Sequence, residues 1–299
     1  MPIQSVRPHG AKLLDARMTA RLTDLVVVIT GSTGIAAASA HRAADEGAKL
    51  FIVSRDPDHA RRLADAVGGA WADADLTVES EVVATFAAIL ARHGRIDGLF
   101  SVAGGSGRSF GDGPIHELSA EGWDRTIELN LRSQALVARA ATRAMLDQSA
   151  RRVGGEADRA AGSRGSEAHG SIVLVSSILA TRPVPELFAT HAYAAAKGAI
   201  ISLATTMAAA YAPSGIRVNV LAPGLTATPM ARRAAEDQVT VDFARRKQPL
   251  VGGFLSAEDV AHAAVYLLSD ESRGVTGQVL TVDGGWSVTN ASAGPAGPA

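Results

Sequence analysis

The chain has 299 residues, 47% hydrophobic and 20% charged, a composition that supports a globular core and argues against global disorder. Its formal net charge of −1, with acidic and basic residues interspersed, gives no electrostatic footprint for binding nucleic acid or an anionic membrane. The sequence has no cysteine, which excludes disulfides, cysteine nucleophiles and thiolate metal sites.

The first part of the chain carries no pattern of a folded element. Residues 1–21 are expected to form a flexible extension, and they contain no apolar segment of the kind found in secretion signals. Apolar runs further along are far shorter than the roughly 20 residues of a membrane span. We therefore expect a cytoplasmic protein without a membrane partner.

Short β-rich apolar runs alternate with helical patterns along the rest of the chain. This alternation predicts an α/β fold, namely a doubly wound (Rossmann-like) parallel sheet of about seven strands with helices on both faces. All the strands belong to one alternating series, so residues 22–288 are predicted to form a single domain. The strands are expected near residues 25–30, 49–54, 70–73, 98–102, 171–176, 216–221 and 278–282.

Two helices have recognisable ends in the sequence. Apolar residues recur at helical spacing from Val78, with Thr77 as the expected N-cap and Gly94 as the end. Ser256 and Asp259 have the spacing of a capping box, which predicts a helix running through Leu267.

Two segments lack any periodicity. Residues 148–170 are rich in Gly, Ser, Ala and Arg, and they are expected to form a surface loop. Residues 289–299 are of low complexity and are expected to be a disordered tail.

A glycine-rich turn follows the first predicted strand and leads into a helix. Glycines in such a turn let the backbone approach a pyrophosphate, and the N–H groups of the helix start face the anion. A tight turn without a ligand would also use glycines, so the motif alone leaves both readings open. The residues expected to hold the pyrophosphate are Gly31, Ser32, Thr33, Gly34 and Ile35.

The tip of the second strand predicts which cofactor is preferred. An acidic residue there would bind a ribose diol, but this chain has Ser54 followed by Arg55. A guanidinium suits a 2′-phosphate. We therefore expect NADP(H) to be preferred, with NAD(H) possible.

Three side chains form a candidate acid–base site. Tyr193 and Lys197 are four residues apart on a predicted helix, so they share one face, and a nearby ammonium is expected to lower the phenol pKa. Ser177 follows the strand near 171–176 at its carboxyl end, where ligands sit in open parallel sheets. A Tyr–Lys pair at this spacing also occurs on ordinary helices, and a serine at a strand end also occurs in ordinary turns. No G-x-S-x-G elbow surrounds the serine, which argues against a hydrolase.

Taken together, these motifs resemble those of the short-chain dehydrogenase/reductase family, from about residue 22 to 288. The motifs that carry the resemblance are TGSTGIA (30–36), DADL (73–76), SVAGG (101–105), ELNL (128–131), SS (176–177), YAAAK (193–197), RVNVLAPGLTATPM (217–230) and TGQVLTVDGG (276–285).

The resemblance implies specific catalytic roles. Tyr193 would exchange a proton with the substrate oxygen, and Lys197 would lower the pKa of that phenol and hold the nicotinamide ribose. Ser177 would orient the carbonyl. Asn130 would anchor a water that relays protons to Lys197.

The resemblance also implies the remaining cofactor contacts. Asp75 and Leu76 would contact the adenine, Ala103 and Gly104 the adenosine ribose, and residues 223–228 the nicotinamide carboxamide. The last group comprises Pro223, Gly224, Leu225, Thr226 and Thr228. Residues 229–253 would form a substrate lid. The family commonly forms tetramers, so a homotetramer or homodimer is implied, with Trp286 at a subunit contact.

Three positions depart from the family pattern. The glycine turn is one residue short, because Gly31-x-x-Gly34 replaces a longer spacing. Ser101 and Val102 stand where two asparagines are usual. The segment between Ser177 and Tyr193 is longer than usual and contains two prolines, which predicts a reshaped route for the substrate.

Three functions follow as alternatives. The first is an NADP(H)-dependent enzyme that interconverts a ketone or aldehyde and an alcohol, with a small-molecule substrate and no nucleic-acid partner. The second is a 3-oxoacyl-thioester reductase of the same fold, and the third is a cofactor-binding regulator or scaffold without turnover. The eight histidines are scattered, so no metal site is predicted.

Overall fold

The computed structural model describes residues 20–153 and 170–290. Their seven strands form one sheet in the order β3-β2-β1-β4-β5-β6-β7, and every neighbouring pair is parallel. The strands are β1 Val26–Thr30, β2 Lys49–Ser54, β3 Ala70–Asp73, β4 Gly98–Ser101, β5 Gly170–Val175, β6 Ile216–Pro223 and β7 Val279–Val282. This topology confirms the predicted Rossmann-like sheet.

Helices cover both faces of the sheet. They are α1 Ile35–Asp45, α2 Pro57–Val67, α3 Glu79–His93, α4 Ala120–Ile127, α5 Ser133–Val153, α6 Pro185–Phe188, α7 His191–Tyr211, α8 Arg232–Glu236, α9 Gln238–Lys247 and α10 Ala257–Leu268. None of the helices in the described residues is long and apolar enough to cross a membrane.

A separate hydrophobic core lies on each face of the sheet, and successive residues of a central strand point alternately into one core and the other. Val28 faces a core with Phe86 of α3 and Ile200 of α7, whereas Val27 and Ile29 face the other core, which includes residues of α1, α2 and α10. A strand that is buried on both faces has to be apolar at every position, which explains the continuous run Val26–Thr30.

The carboxyl ends of β1 and β4 lie side by side at the point where the strand order reverses. Thr30 Oγ1 accepts hydrogen bonds from the N–H groups of Val102 and Ala103, at 3.0 and 3.1 Å. The two strand ends are thereby fixed to each other. In an open α/β sheet this crevice is where ligands bind.

One predicted helix start is wrong and another is confirmed. α3 begins at Glu79 with Val78 in the capping position, because the Thr77 hydroxyl donates to Asp75 Oδ1 (2.7 Å) and does not cap the helix. Ser256 and Asp259 form the predicted capping box, and α10 runs one residue beyond the predicted end at Leu267.

The segment predicted as a loop over 148–170 is partly regular structure. α5 continues to Val153, and Gly170 already belongs to β5. The residues at this helix end, rich in Ser, Ala and Arg, show no apolar periodicity, so the sequence pattern gave no sign of the helix. Residues 154–169 lie outside the described residues.

Both predicted ends of the domain need correction. Arg21, placed in the extension, forms an ion pair with Glu46 at 2.6 Å, so the folded part begins before residue 22. Thr289, placed in the tail, accepts a hydrogen bond from Lys247 Nζ through its carbonyl. Residues 1–19 and 291–299 lie outside the described residues.

The capping box of α10 yields a stability prediction. Ser256→Ala removes the side-chain acceptor for the N–H of Asp259, which we expect to lower the free energy of unfolding by about 1 kcal/mol. Differential scanning fluorimetry should show a fall in Tm of roughly 2–4 °C.

Ser202→Ala is the matched control, because Ser202 is exposed in the interior of α7. An equal fall in Tm for both variants would show that Ser256 does not act as a cap.

Candidate active site

A cavity of about 450 Å³ opens at the carboxyl end of the sheet. It brings together the four predicted catalytic residues, Asn130, Ser177, Tyr193 and Lys197. Predicted cofactor residues that also line it are Thr33, Gly34, Ile35, Gly104, Pro223, Gly224, Thr226 and Thr228. Residues from six separate parts of the sequence therefore meet in one place.

Hydrogen bonds fix α7 against the end of β5. Ser176 Oγ donates to the carbonyl of Lys197 at 2.7 Å, and Lys197 Nζ donates to the carbonyl of Val175 at 2.9 Å. Lys197 Nζ also lies 5.5 Å from the centre of the Tyr193 ring. The predicted helical spacing is thus realised with both side chains on the cavity side.

Burial dominates the acid–base properties of this pair. It raises the pKa of the Tyr193 phenol, while a hydrogen bond with the Ser177 hydroxyl acts in the opposite direction with less effect. Burial also lowers the pKa of Lys197 to about 8. The expectation of a lowered phenol pKa is therefore wrong for the protein alone, because a buried phenolate loses its hydration.

Asn130 lies in a π-helical turn, Glu128–Arg132, between α4 and α5. Its Nδ2 donates to the carbonyls of Gly105 (2.9 Å) and Thr126 (3.0 Å), and its Oδ1 accepts from the Gly105 N–H (3.1 Å). A side chain at Gly104 would come within 2.7 Å of Asn130 Oδ1. The turn thus holds the loop after β4 close to the predicted catalytic residues, and π-turns are frequent at functional sites.

The shortened glycine turn still has the form of a phosphate cradle. Gly31 and Gly34 have φ of +93° and +54°, in the region that favours glycine. A Cβ at Gly34 would lie 2.9 Å from Thr228 Cγ2, so the turn packs closely against the segment after β6. Because α1 begins at Ile35, directly after the turn, the residues present fit a pyrophosphate.

Apart from Gly104, the predicted adenosine contacts lie outside the cavity, at the carboxyl edge of the sheet. Ser32 Oγ donates to Ser54 Oγ at 2.9 Å, which joins the turn to the end of β2. The side chain of Arg55 is exposed. Hydrogen bonds from Thr77 lower the pKa of Asp75, with a smaller contribution from the charge of Arg55.

Leu76 was predicted to contact the adenine, but its side chain is buried in the hydrophobic core. Only its backbone is left to meet an adenine. Ala103 and Gly31 are neighbours, because a Cβ on Gly31 would lie 3.8 Å from the Ala103 nitrogen.

The predicted lid, residues 229–253, folds into the turn Pro229–Ala231 followed by α8 and α9. Gln248 joins the two ends of this segment. Its amide exchanges two hydrogen bonds with the backbone of Leu225 and donates a third to the carbonyl of Gly253. Gln248 is fully buried, and sequence reasoning missed it because a lone glutamine carries no motif.

The position of Trp286 differs from the one that the family resemblance implied. It was placed at a subunit contact, but it is 2% exposed and lines the cavity. Its ring lies 5.1 Å from Phe243 and 6.5 Å from Phe188, measured between ring centres. The longer segment before Tyr193 forms α6, and this short helix brings Phe188 to the same cavity.

Comparisons with known proteins identify relatives of the chain over most of its length. Residues 29–287 match a family model described as "Enoyl-(Acyl carrier protein) reductase". A 2-(S)-hydroxypropyl-CoM dehydrogenase from Xanthobacter autotrophicus is 34% identical, over 90% of this chain and 98% of its own length. A cis-4-hydroxycyclohexanecarboxylate dehydrogenase from Sinomonas cyclohexanicum is 37% identical, over 88% of this chain and 96% of its own length.

Solved structures give the same result. A short-chain type dehydrogenase/reductase from Mycobacterium ulcerans superposes with a TM-score of 0.76 and 31% identity, covering 90% of this chain and 91% of its own. The chain belongs to the short-chain dehydrogenase/reductase family. It is therefore an NAD(P)-dependent oxidoreductase that acts on CH–OH groups.

In this short-chain dehydrogenase/reductase, Asp112 also supports the site, although it belongs to none of the family motifs. Asp112 is buried in the loop before α4, and its carboxylate accepts from the N–H groups of Ala192 (3.0 Å) and Tyr193 (2.9 Å). Thr190, in the capping position of α7, makes no side-chain cap. Asp112 therefore caps the helix of Tyr193 from about 80 residues away in the sequence.

His191 lies beside this cap. Its Nδ1 is 2.9 Å from the carbonyl of Gly113, and its ring is exposed. It does not line the cavity.

The Asp112 cap yields the second prediction. Asp112→Asn leaves one oxygen for two N–H groups, so one buried donor loses its partner, and we expect a loss of about 1–3 kcal/mol in the free energy of unfolding. The midpoint of urea denaturation should fall accordingly.

Asp124→Asn, at an exposed position of α4 that forms no ion pair within the described residues, should change the free energy of unfolding by less than about 0.5 kcal/mol. An unchanged midpoint for Asp112→Asn would refute the capping role.

Proposed function

We propose that this enzyme is an NADP(H)-dependent oxidoreductase that interconverts a ketone or aldehyde and a secondary alcohol, with Tyr193 as the acid–base residue. The observation that carries the proposal is the shared cavity. One space is lined by the hydroxyls of Ser177 and Tyr193, by Lys197 and by the glycine turn at Gly34.

The chain's own residues perform the proton chemistry. When bound, the nicotinamide ring supplies or accepts the hydride at the substrate carbon. Tyr193 donates its phenol proton to the carbonyl oxygen in reduction and takes the alcohol proton in oxidation. Its raised pKa keeps the phenol protonated at neutral pH, ready for the reductive direction. The Ser177 hydroxyl orients the carbonyl oxygen toward that proton.

Lys197 serves the same proton transfer. A pKa of about 8 means that its Nζ gains and loses a proton near neutral pH, so it can return a proton toward Tyr193. The ammonium form also stabilises the phenolate that Tyr193 becomes after donation. We propose that Asn130, which holds the Gly105 loop next to Lys197, keeps a water path open to its Nζ.

The preference for NADP(H) rests on the end of β2. Ser54 has no carboxylate to bind a ribose diol, and Ser32 occupies its hydroxyl. Arg55 is exposed beside it and forms no ion pair within 4 Å in the part of the chain that the structure describes. A guanidinium with free donors at this point suits a 2′-phosphate.

The names of the relatives support a small alcohol substrate. Both curated relatives are named as dehydrogenases, one of a hydroxypropyl compound and one of a hydroxycyclohexanecarboxylate. We propose by analogy that a secondary alcohol, or the matching ketone, is the reacting group here as well.

A carrier-linked 3-oxoacyl thioester is the second candidate. The description of the matching family model names an acyl-carrier-protein reductase, and Arg232 and Arg246 are exposed on the lid segment. Reduction of acetoacetyl-CoA with a kcat/KM well above that for every free ketone would favour this candidate.

Replacement of the phenol tests the mechanism. Tyr193→Phe removes the proton donor but keeps the ring, so we expect turnover of any accepted ketone to fall by at least about 100-fold, the lower range of acid–base catalysis. NADPH binding, followed by nicotinamide fluorescence, should remain.

Tyr211→Phe, at the end of the same helix, is the matched control and should retain turnover. Undiminished activity of Tyr193→Phe would overturn the proposed role.

Replacement of the arginine after β2 tests the cofactor preference. Arg55→Ala should raise the Kd of NADPH by about 10-fold or more, because a charged hydrogen bond to phosphate is lost, and should leave the Kd of NADH nearly unchanged. Arg62→Ala, an exposed arginine on α2, serves as the control for general charge. Equal weakening of both cofactors by Arg55→Ala would refute the assignment.

A further inference from the structure

Two arginines from separate elements line the cavity that holds Tyr193. Arg108 lies in the turn Arg108–Phe110, after β4, and Arg233 lies in α8. The proposed reaction assigns no task to either of them, since proton transfer uses Tyr193, Ser177 and Lys197.

Neither guanidinium is neutralised within the described residues. Neither has a carboxylate within 4 Å, whereas Arg245 on the neighbouring helix pairs with Asp242 at 3.1 Å. Arg108 makes one hydrogen bond, to the carbonyl of Leu187 at 3.3 Å, which leaves most of its five donors free.

Two carboxylates whose charges interact with these arginines are hydrogen-bonded elsewhere. Asp112 accepts from the first turn of α7, and Asp237 accepts from the N–H and hydroxyl of Thr240. Both carboxylates therefore cap helices, and neither lies within 4 Å of the guanidinium group of Arg108 or Arg233, so each acts on the arginines only from a distance.

The two positive charges also act on each other. Burial and the charge of Arg233 both lower the pKa of Arg108, with Asp112 opposing this effect only as the smallest contribution. Like charges that approach in a partly desolvated cavity are unfavourable unless an anion lies between or beside them. The arrangement therefore fits a negatively charged ligand group.

The rest of the cavity wall is largely apolar. Phe188, Trp286, Leu179 and Met230 line it together with the arginines. A ligand that matches this wall has an apolar body and one anionic end. The volume of about 450 Å³ is also shared with part of the cofactor, which favours a small body.

We propose that the substrate is a small organic acid, a hydroxy or oxo acid whose carboxylate or sulfonate is bound by Arg108 and Arg233 while its alcohol or carbonyl carbon lies at Tyr193. This inference rests on the proposed function, because it places the reacting group at the same site. The arginines bind the substrate and take no part in proton transfer.

The first experiment compares acids with their uncharged esters. Oxo acids from 4-oxopentanoate to 7-oxooctanoate, each with its methyl ester, are assayed with NADPH for kcat/KM. We expect at least one acid to exceed its ester by about 10-fold or more, since the ester cannot form the charged hydrogen bonds. Esters that are reduced as well as the acids would overturn the inference and leave the proposed function intact.

Variants then assign the preference to the two side chains. Arg108→Gln and Arg233→Gln should each lower the acid-to-ester ratio of kcat/KM by about 10-fold. Arg232→Gln is the matched control on the same helix, because Arg232 does not line the cavity, and it should keep the original ratio. Ratios unchanged in both cavity variants would overturn the assignment.

A binding measurement separates this inference from the proposed function. Tyr193→Phe saturated with NADP⁺ is titrated with each oxo acid of the series by calorimetry, alone and combined with Arg233→Gln. Binding that weakens about 10-fold with the added Arg233→Gln supports the anion site even if turnover fails for another reason. Binding of equal strength in both proteins overturns it. Reduction of acetoacetyl-CoA in preference to every free acid would also overturn it, in favour of a carrier thioester.

Discussion

The junction between the end of β5 and α7 is the constraint on which the site depends. The carbonyl of Val175 accepts from Lys197 Nζ and also from the buried amide of Gln134, and Ser176 Oγ binds the backbone of Lys197. These bonds fix the height and rotation of α7 above the sheet. Because Tyr193 is one turn away on the same helix, its phenol takes its place beside Ser177 as a consequence.

A second constraint acts on the first turn of this helix. Asp112, held in a loop after β4, binds the N–H of Tyr193 itself. The catalytic helix is therefore fixed at Lys197 by one strand and at its start by the loop that follows another. The same loop carries Arg108, and α6, which Arg108 contacts, carries Phe188. The placement of Tyr193, the proposed acid–base residue, and the shape of the proposed substrate space are consequently coupled through a few backbone contacts.

Desolvation explains why this arrangement is suited to moving a proton. Burial raises the pKa of the Tyr193 phenol above its ordinary value and lowers the pKa of Lys197 to about 8, so it favours the neutral form of both groups. A phenol that holds its proton is suited to the proposed donation to a carbonyl oxygen, and an amine with a pKa near neutral pH is suited to restoring that proton. The two cavity arginines are partly exposed and remain charged, which suits them to binding an anion and not to exchanging protons.

The sequence by itself determined the sheet, the glycine turn, and Tyr193 and Lys197 on one helix, because these features follow from local periodicity and from motifs with fixed spacing. It misassigned Thr77, whose hydroxyl binds Asp75 and does not cap the helix, and it missed the end of α5, where the residues show no apolar periodicity. Only the tertiary structure decided that Asp112, Gln248 and Trp286 support or line the site. Their partners are far away in the chain, and contacts between distant segments depend on packing that no local pattern records.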